Sequence, residues 1–145
     1  MTSRTADVIN ALDAERRSLA SVFGWGLPSF SQKLRQSFNI ESVELADVAS
    51  ELHRKRGGPA GPTNVETRYI WEDVPYGLVF TLALGRIAKV AMPATETLVA
   101  TAGLIVGEQL LMTNDLIEAL GLSTETVQGL LRRVNVGSPY KEALC

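Results

Sequence analysis

The sequence predicts an all-α fold, a multi-helix bundle around a central buried helix pair at about residues 74–89 and 94–112. Three observations predict it. No stretch alternates apolar and polar side chains as a half-buried strand does, while apolar residues recur at three- and four-residue spacing along most of the chain. Two runs, residues 74–85 and 97–107, contain no charged side chain, and both are shorter than the roughly 18 apolar residues of a membrane span, so they read as core helices. At 145 residues with 46% hydrophobic side chains, the chain is one domain's worth of core-forming material, a single helical domain over residues 1–145.

A first helix is predicted over about residues 5–23, with Ile9, Leu12, Leu19 and Phe23 on one side and Asp13, Arg16 and Arg17 largely on the other. Gly24-Trp25-Gly26-Leu27-Pro28 breaks it, and Trp25 is expected to pin the break to the core. A short helix over residues 29–38 carries Phe30, Leu34 and Phe38 on one stripe and stops at Asn39. Ser42 is the expected cap of the next helix, which buries Val43, Leu45, Val48 and Leu52 and places Glu41, Glu44 and Asp47 near its positive end. Its far end, His53-Arg54-Lys55-Arg56, reads as a solvated basic face favourable to the helix dipole; phosphate contact is the alternative.

Residues 57–64 form a Gly- and Pro-rich loop long enough to act as a flap. Beyond Pro75, Leu78, Val79, Phe80, Leu82 and Leu84 cannot share one stripe, so that helix is expected to be buried all round. In the second central helix Leu98, Val99, Leu104, Ile105, Leu110 and Leu111 dominate, and Ala100, Thr101, Ala102 and Gly103 leave room for a close neighbour. Two shorter helices follow, one capped by Thr113 or Asn114 and stopped at Gly121, the other capped by Ser123 with Arg132 and Arg133 at its end. The tail from Val134 is expected to be irregular.

Fourteen basic against sixteen acidic side chains give a net charge of −2, which provides no general attraction to nucleic acid or an anionic membrane. The only cysteine is Cys145, so an internal disulfide and a cysteine metal cluster are excluded, and the only histidine, His53, has no second His or Cys to share a metal. With a polar N-terminal segment in place of an apolar signal core, the expected location is the cytoplasm.

Chemistry concentrates in one place. Arg68-Tyr69-Ile70-Trp71-Glu72-Asp73-Val74-Pro75-Tyr76 sets a cation, aromatic rings and two adjacent carboxylates at the mouth of the first uncharged run. The bland reading makes Glu72 and Asp73 cap and dipole partners of a helix beginning near Val74, with Arg68 as counter-ion and Pro75 in the first turn. The functional reading makes the same residues a substrate site.

This stretch, with Leu84-Gly85-Arg86, Val90-Ala91-Met92-Pro93 and the upstream Val8-Ile9-Asn10-Ala11-Leu12-Asp13-Ala14-Glu15-Arg16, resembles the C-terminal helical domain of the octopine/nopaline (opine) dehydrogenases, a 6-phosphogluconate dehydrogenase C-terminal-like domain. The resemblance runs to about Leu122 and is most specific at Arg-Tyr-Ile-x-Glu-Asp-Val-Pro. It implies an enzyme that joins this domain to an N-terminal Rossmann domain binding NAD or NADP and reductively condenses an amino acid with a 2-oxo acid. Arg68 would hold a substrate carboxylate, Asp73 would orient a catalytic histidine, and Tyr69 and Tyr76 would line the pocket.

The histidine that the resemblance implies lies upstream of the residues present here. No Gly-x-Gly-x-x-Gly turn occurs, and Gly57, Gly58 and Gly61 follow no apolar strand. The expectation is therefore a helical substrate-binding half that binds no cofactor alone, is not competent alone, works with a Rossmann domain in the same or a separate chain, and forms a homodimer through its apolar surface. The alternatives are a non-catalytic carboxylate binder and an oligomerising helical module.

Overall fold

Helix α1, Ser3–Val22, starts where the Thr2 hydroxyl accepts the Thr5 N–H at 3.2 Å, and its chain turns out at Phe23. The structure is a computed structural model describing residues 1–58, 61–107 and 114–136. Among these residues all regular structure is helical, as the sequence predicts: α2 is Phe30–Phe38, α3 Leu45–Arg56, a π-helix spans Tyr69–Val79 and runs straight into α4, Phe80–Ala88. Helix α5, Pro93–Val106, α6, Leu116–Ala119, a 3₁₀ turn at Leu122–Thr124 and α7, Val127–Val136, complete the order.

Helix α1 packs against α3, α4 and α5, while the π-helix and α4 form one arm of the central pair and α5 the other. Leu19, Val74, Leu82, Met92, Val99 and Ala102 make the buried cluster between them. The central pair is real but its bounds differ from those expected. The first arm begins at Tyr69, so residues 69–73 already wind as helix, and the second ends at Gly107, whose φ of +97° leaves the helical region. The expected continuation through Leu110 and Leu111 lies outside the described residues, as do positions 59 and 60 of the flap loop.

Local bonds end some helices, and tertiary hydrogen bonds settle outcomes that propensity leaves open. Ser29 caps α2 in a reciprocal capping box with Gln32, and Asn39 ends it in the left-handed conformation. Asp13, expected largely on the solvent side, is buried: its carboxylate accepts from Arg16 at 2.7 Å and from the Phe30 N–H at 3.0 Å, and it forms an ion pair with Arg17 at 3.3 Å. Arg16 also donates to the Pro28 carbonyl at 2.9 Å. These bonds, not Trp25, pin the break between α1 and α2; Trp25 is 59% exposed.

Ser42 does not cap α3, whose N-cap is Glu44 without a side-chain bond. It bonds instead to the buried Glu51, which accepts the Ser42 N–H and hydroxyl at 3.1 and 2.8 Å and pairs with Lys55 at 2.8 Å. Lys55 reaches on to the Asn39 carbonyl and Arg56 lies over Phe38, so half of the basic run is tied to the end of α2. Toward the end of the chain, Asn114 accepts the Leu116 and Ile117 N–H groups, while Thr113, the other expected cap, lies outside the described residues. Gly121 stops α6 at φ +63°, and Thr126, not Ser123, caps α7 by accepting from Gly129. Helix α7 carries the chain to Val136, so the irregular tail expected from Val134 begins no earlier than residue 137, outside the described residues.

The corner between the two central arms explains the Leu84-Gly85-Arg86 and Val90-Ala91-Met92-Pro93 segments. Gly85 is buried with Met92 against it; a Cβ there would lie 2.5 Å from the Met92 sulfur. Lys89 turns the chain in the left-handed conformation at φ +57°, and the Val90 N–H returns to the Gly85 carbonyl at 2.9 Å. Helix α5 has no cap from its own sequence. Glu15 of α1 supplies it, accepting the Ala94 and Thr95 N–H groups at 2.6 and 3.0 Å and the buried Thr95 hydroxyl at 2.6 Å.

Candidate functional site

The π-helix is the site's scaffold. Such winding occurs mostly as single-turn bulges, frequently at functional sites. Here it persists for 11 residues. Pro75 sits inside it. In an α-helix its missing N–H and its ring's clash with the carbonyl four residues back would break the helix, and the wider winding relieves that contact. Two bonds around it depart from the regular ladder: the Phe80 N–H donates to the Gly77 carbonyl, and Asn114 Nδ2 donates to the Pro75 carbonyl at 2.7 Å.

Winding decides which residues share a face. Residues five apart lie about 140° apart in an α-helix of roughly 3.6 residues per turn, on different sides. Hydrogen bonds from i to i+5 bring such residues nearly over one another. Ile70, Val74, Leu78 and Val79 accordingly turn inward, and Arg68, Glu72, Asp73, Tyr76 and Gly77, spaced at four and five, are all exposed. Tyr69 and Trp71 flank them at 55% and 44% exposure.

This overturns the capping reading for Asp73, while Glu72 does lie in the first turn of the π-helix, where its charge suits the dipole. Asp73 lies well inside a helix that begins at Tyr69 and makes no cap, and the first helical residues have no side-chain cap bond at all. Arg68 is no counter-ion either. Its guanidinium lies 5.5 Å from the centre of the Tyr69 ring. Among the described residues no ion pair joins it to Glu72 or Asp73. The expectation of a helix buried all round fails at the same place, because Tyr76 and Arg86 face outward.

Arg68, Tyr69, Asp73 and Tyr76 thus stand on one open helix surface. Three cavities, of about 730, 370 and 240 Å³, are lined by none of the four. A small-molecule site buries most of its ligand in a concavity, and an exposed surface of this kind can contribute one wall of it. Arginine with exposed tyrosine and tryptophan is also the composition of an interface anchor.

The profile of the NAD/NADP octopine/nopaline dehydrogenase alpha-helical domain matches residues 1–106. The chain belongs to that family. Opine dehydrogenase of Arthrobacter sp. (strain 1C) is 28% identical over 130 residues, a match spanning 90% of this chain and 36% of that relative. The chain therefore spans about a third of the curated relative it matches. The octopine dehydrogenase profile starts earlier than the sequence resemblance, at residue 1, and stops at the end of α5, leaving α6 and α7 beyond it.

Membership in a family of NAD/NADP enzymes asks whether these residues fit the dinucleotide, and those described do not. A pyrophosphate seat needs a strand leading through a glycine turn onto a helix N-terminus. Here Gly57 and Gly58 follow the C-terminus of α3, with no strand among the described residues. Among the same residues no three His, Cys, Asp or Glu side chains stand together as metal ligands, and no helix is long and apolar enough to cross a membrane.

The sequence marks neither tertiary role: Asp13 reads as a solvent-side carboxylate, and Glu15 stands out only as part of the segment that carries the family resemblance. Each is a carboxylate in an amphipathic helix whose partners, at Thr95 and Phe30, are distant along the chain.

Proposed function

We propose that this chain is the substrate-binding helical half of an opine-dehydrogenase-like oxidoreductase, one that condenses an amino acid with a 2-oxo acid when a nucleotide-binding domain is supplied. The observation that supports this reading is the alignment of Arg68 and Asp73 on one exposed face by π-winding; the roles of carboxylate holder and histidine partner are what the sequence resemblance implies for them. Arg68 offers a planar two-donor fork to a carboxylate. Asp73 offers an acceptor that fixes the tautomer of a histidine contributed from outside these residues. Tyr69 and Tyr76 border the substrate.

An open wall is also why the half is incompetent alone. Carboxylate recognition at full exposure competes with water, and only a second domain closing over the π-helix would make the site concave and dry. The complete enzyme is read as cytoplasmic and homodimeric. Calorimetry of the 145-residue chain with pyruvate and other 2-oxo acids is expected to show weak binding that Arg68→Ala abolishes. Turnover with NADH or NADPH is expected only when the nucleotide-binding half is added, in one chain or two. Cofactor-dependent turnover by the helical chain alone overturns the division of labour, and Arg68-independent binding overturns the site.

A further inference from the structure

A second feature lies at the opposite end of the same helical arm. A cavity of about 730 Å³ opens between the C-terminal turn of α4, the 3₁₀ turn and the start of α7, well inside the size range of small-molecule sites. Arg86 lies on the order of 25 Å from Arg68 along the continuous helix, at about 1.5 Å per residue, so the two features are separate.

Its lining divides by chemistry. Ala83, Ile87, Ile117, Leu122 and Val127 make an apolar wall, and Arg86 and Lys89 bring two cations to the rim from one turn at the end of α4. Neither cation has an ion-pair partner among the described residues. The one carboxylate in the lining is already committed: Glu125 accepts the N–H of its neighbour Thr126 at 2.8 Å and pairs with Arg133 at 3.0 Å, bonds that, in that order, hold its pKa below the ordinary value. At the first turn of α7 Thr126 already accepts the Gly129 N–H, and among the described residues the unpaired side-chain charges at the cavity are the two cations. Lys89 moreover holds the left-handed conformation, and its cation is placed at the cavity in spite of that strain. Glycine or asparagine is the easier choice there.

We propose that this cavity binds a small amphipathic carboxylate, the carboxylate seated between Arg86 and Lys89 and the hydrocarbon body against Ile87, Leu122 and Val127. A guanidinium fork takes a carboxylate with two donors, and the apolar wall removes the attached chain from water. The site is independent of Arg68 and of the reaction assigned to the complete enzyme.

Hexanoate, titrated into the isotopically labelled 145-residue chain and followed by amide chemical shifts, tests the proposal. Saturable shifts confined to residues 83–89, 117 and 122–128 are expected. Hexanol, acetate and inorganic phosphate are expected to bind at least about tenfold more weakly, and Arg86→Gln or Lys89→Asn to weaken hexanoate by about tenfold, the worth of one charge-assisted hydrogen bond. Both positions are exposed, and asparagine accepts the left-handed conformation, so the variants keep the fold. Arg68→Ala is expected to leave hexanoate binding unchanged, which separates failure here from failure of the Arg68 site. Shifts centred on the π-helix, equal affinity for hexanol, phosphate binding as tight as hexanoate, or indifference to both variants would each overturn the proposal.

Discussion

Replacing Asp73 by alanine separates a structural carboxylate from a functional one, because the two roles predict opposite signs. A capping aspartate costs roughly 0.5–2 kcal/mol when removed. In this structure Asp73 is exposed, inside a helix and without a hydrogen bond among the described residues, so nothing is lost from the fold. Alanine's better helix propensity contributes up to about 0.7 kcal/mol. The expected change is therefore between zero and a gain of about 0.5 kcal/mol, since surface substitutions away from specific contacts fall in that range. Arg68→Ala loses the stacking over Tyr69. Such a contact is worth about 0.5–1 kcal/mol at an exposed site. Its larger effect is on binding: a charge-assisted carboxylate contact of about 1.5–3 kcal/mol corresponds to a loss of roughly tenfold to a hundredfold in affinity. Arg68→Lys is expected not to restore it, because an ammonium lacks the fork. Urea unfolding followed by far-UV circular dichroism reads the first quantity and calorimetry with 2-oxo acids the second. Asp73→Ala costing more than about 1 kcal/mol, in the range of a true cap, refutes the reasoning.

Three further outcomes follow from tertiary contacts. Glu15→Ala uncaps α5 and leaves the buried Thr95 hydroxyl without its acceptor. The expected loss is roughly 2–4 kcal/mol, with a fall in Tm of about 5–12 °C; a shift under about 2 °C would show that water replaces the carboxylate. Glu51 is held at a pKa of about 2, against an ordinary 4.5, first by the Lys55 hydrogen bond and then by Ser42, so its stabilisation is complete above pH 4.5 and lost as pH falls toward 2. Glu51→Gln is expected to unfold at lower urea than the parent at neutral pH and to converge with it near the bottom of that window; a difference that persists there counts against the charge. Leu104 is 86% exposed and Ile105 is 56% exposed near the end of α5. A homodimer covering them is expected by light scattering, broken by Leu104→Arg; a monomer at high micromolar concentration that binds no apolar-surface dye sinks it.

The apolar periodicity by itself determined the fold class, the order of the helices and the central pair, because burying two uncharged runs leaves a helical chain of this length no other centre. Local chemistry likewise determined the stops at Asn39 and Gly121, whose partners lie within a few residues. The cluster at Arg68 and Asp73 was legible as residues and as a family resemblance, but its geometry was not. Whether Pro75 opens a helix or is absorbed within one depends on groups that satisfy its neighbours, among them Asn114, 39 residues away. In the π-winding that the packed chain adopts, Asn114 holds the Pro75 carbonyl and Arg68 and Asp73 share one face. The same holds for Asp13 and Glu15, which look like solvent-side carboxylates until α2 and α5 bring unpaired N–H groups to them. Periodicity reports how a helix divides its own surface; which backbone ends arrive at that surface is decided only when the chain has packed.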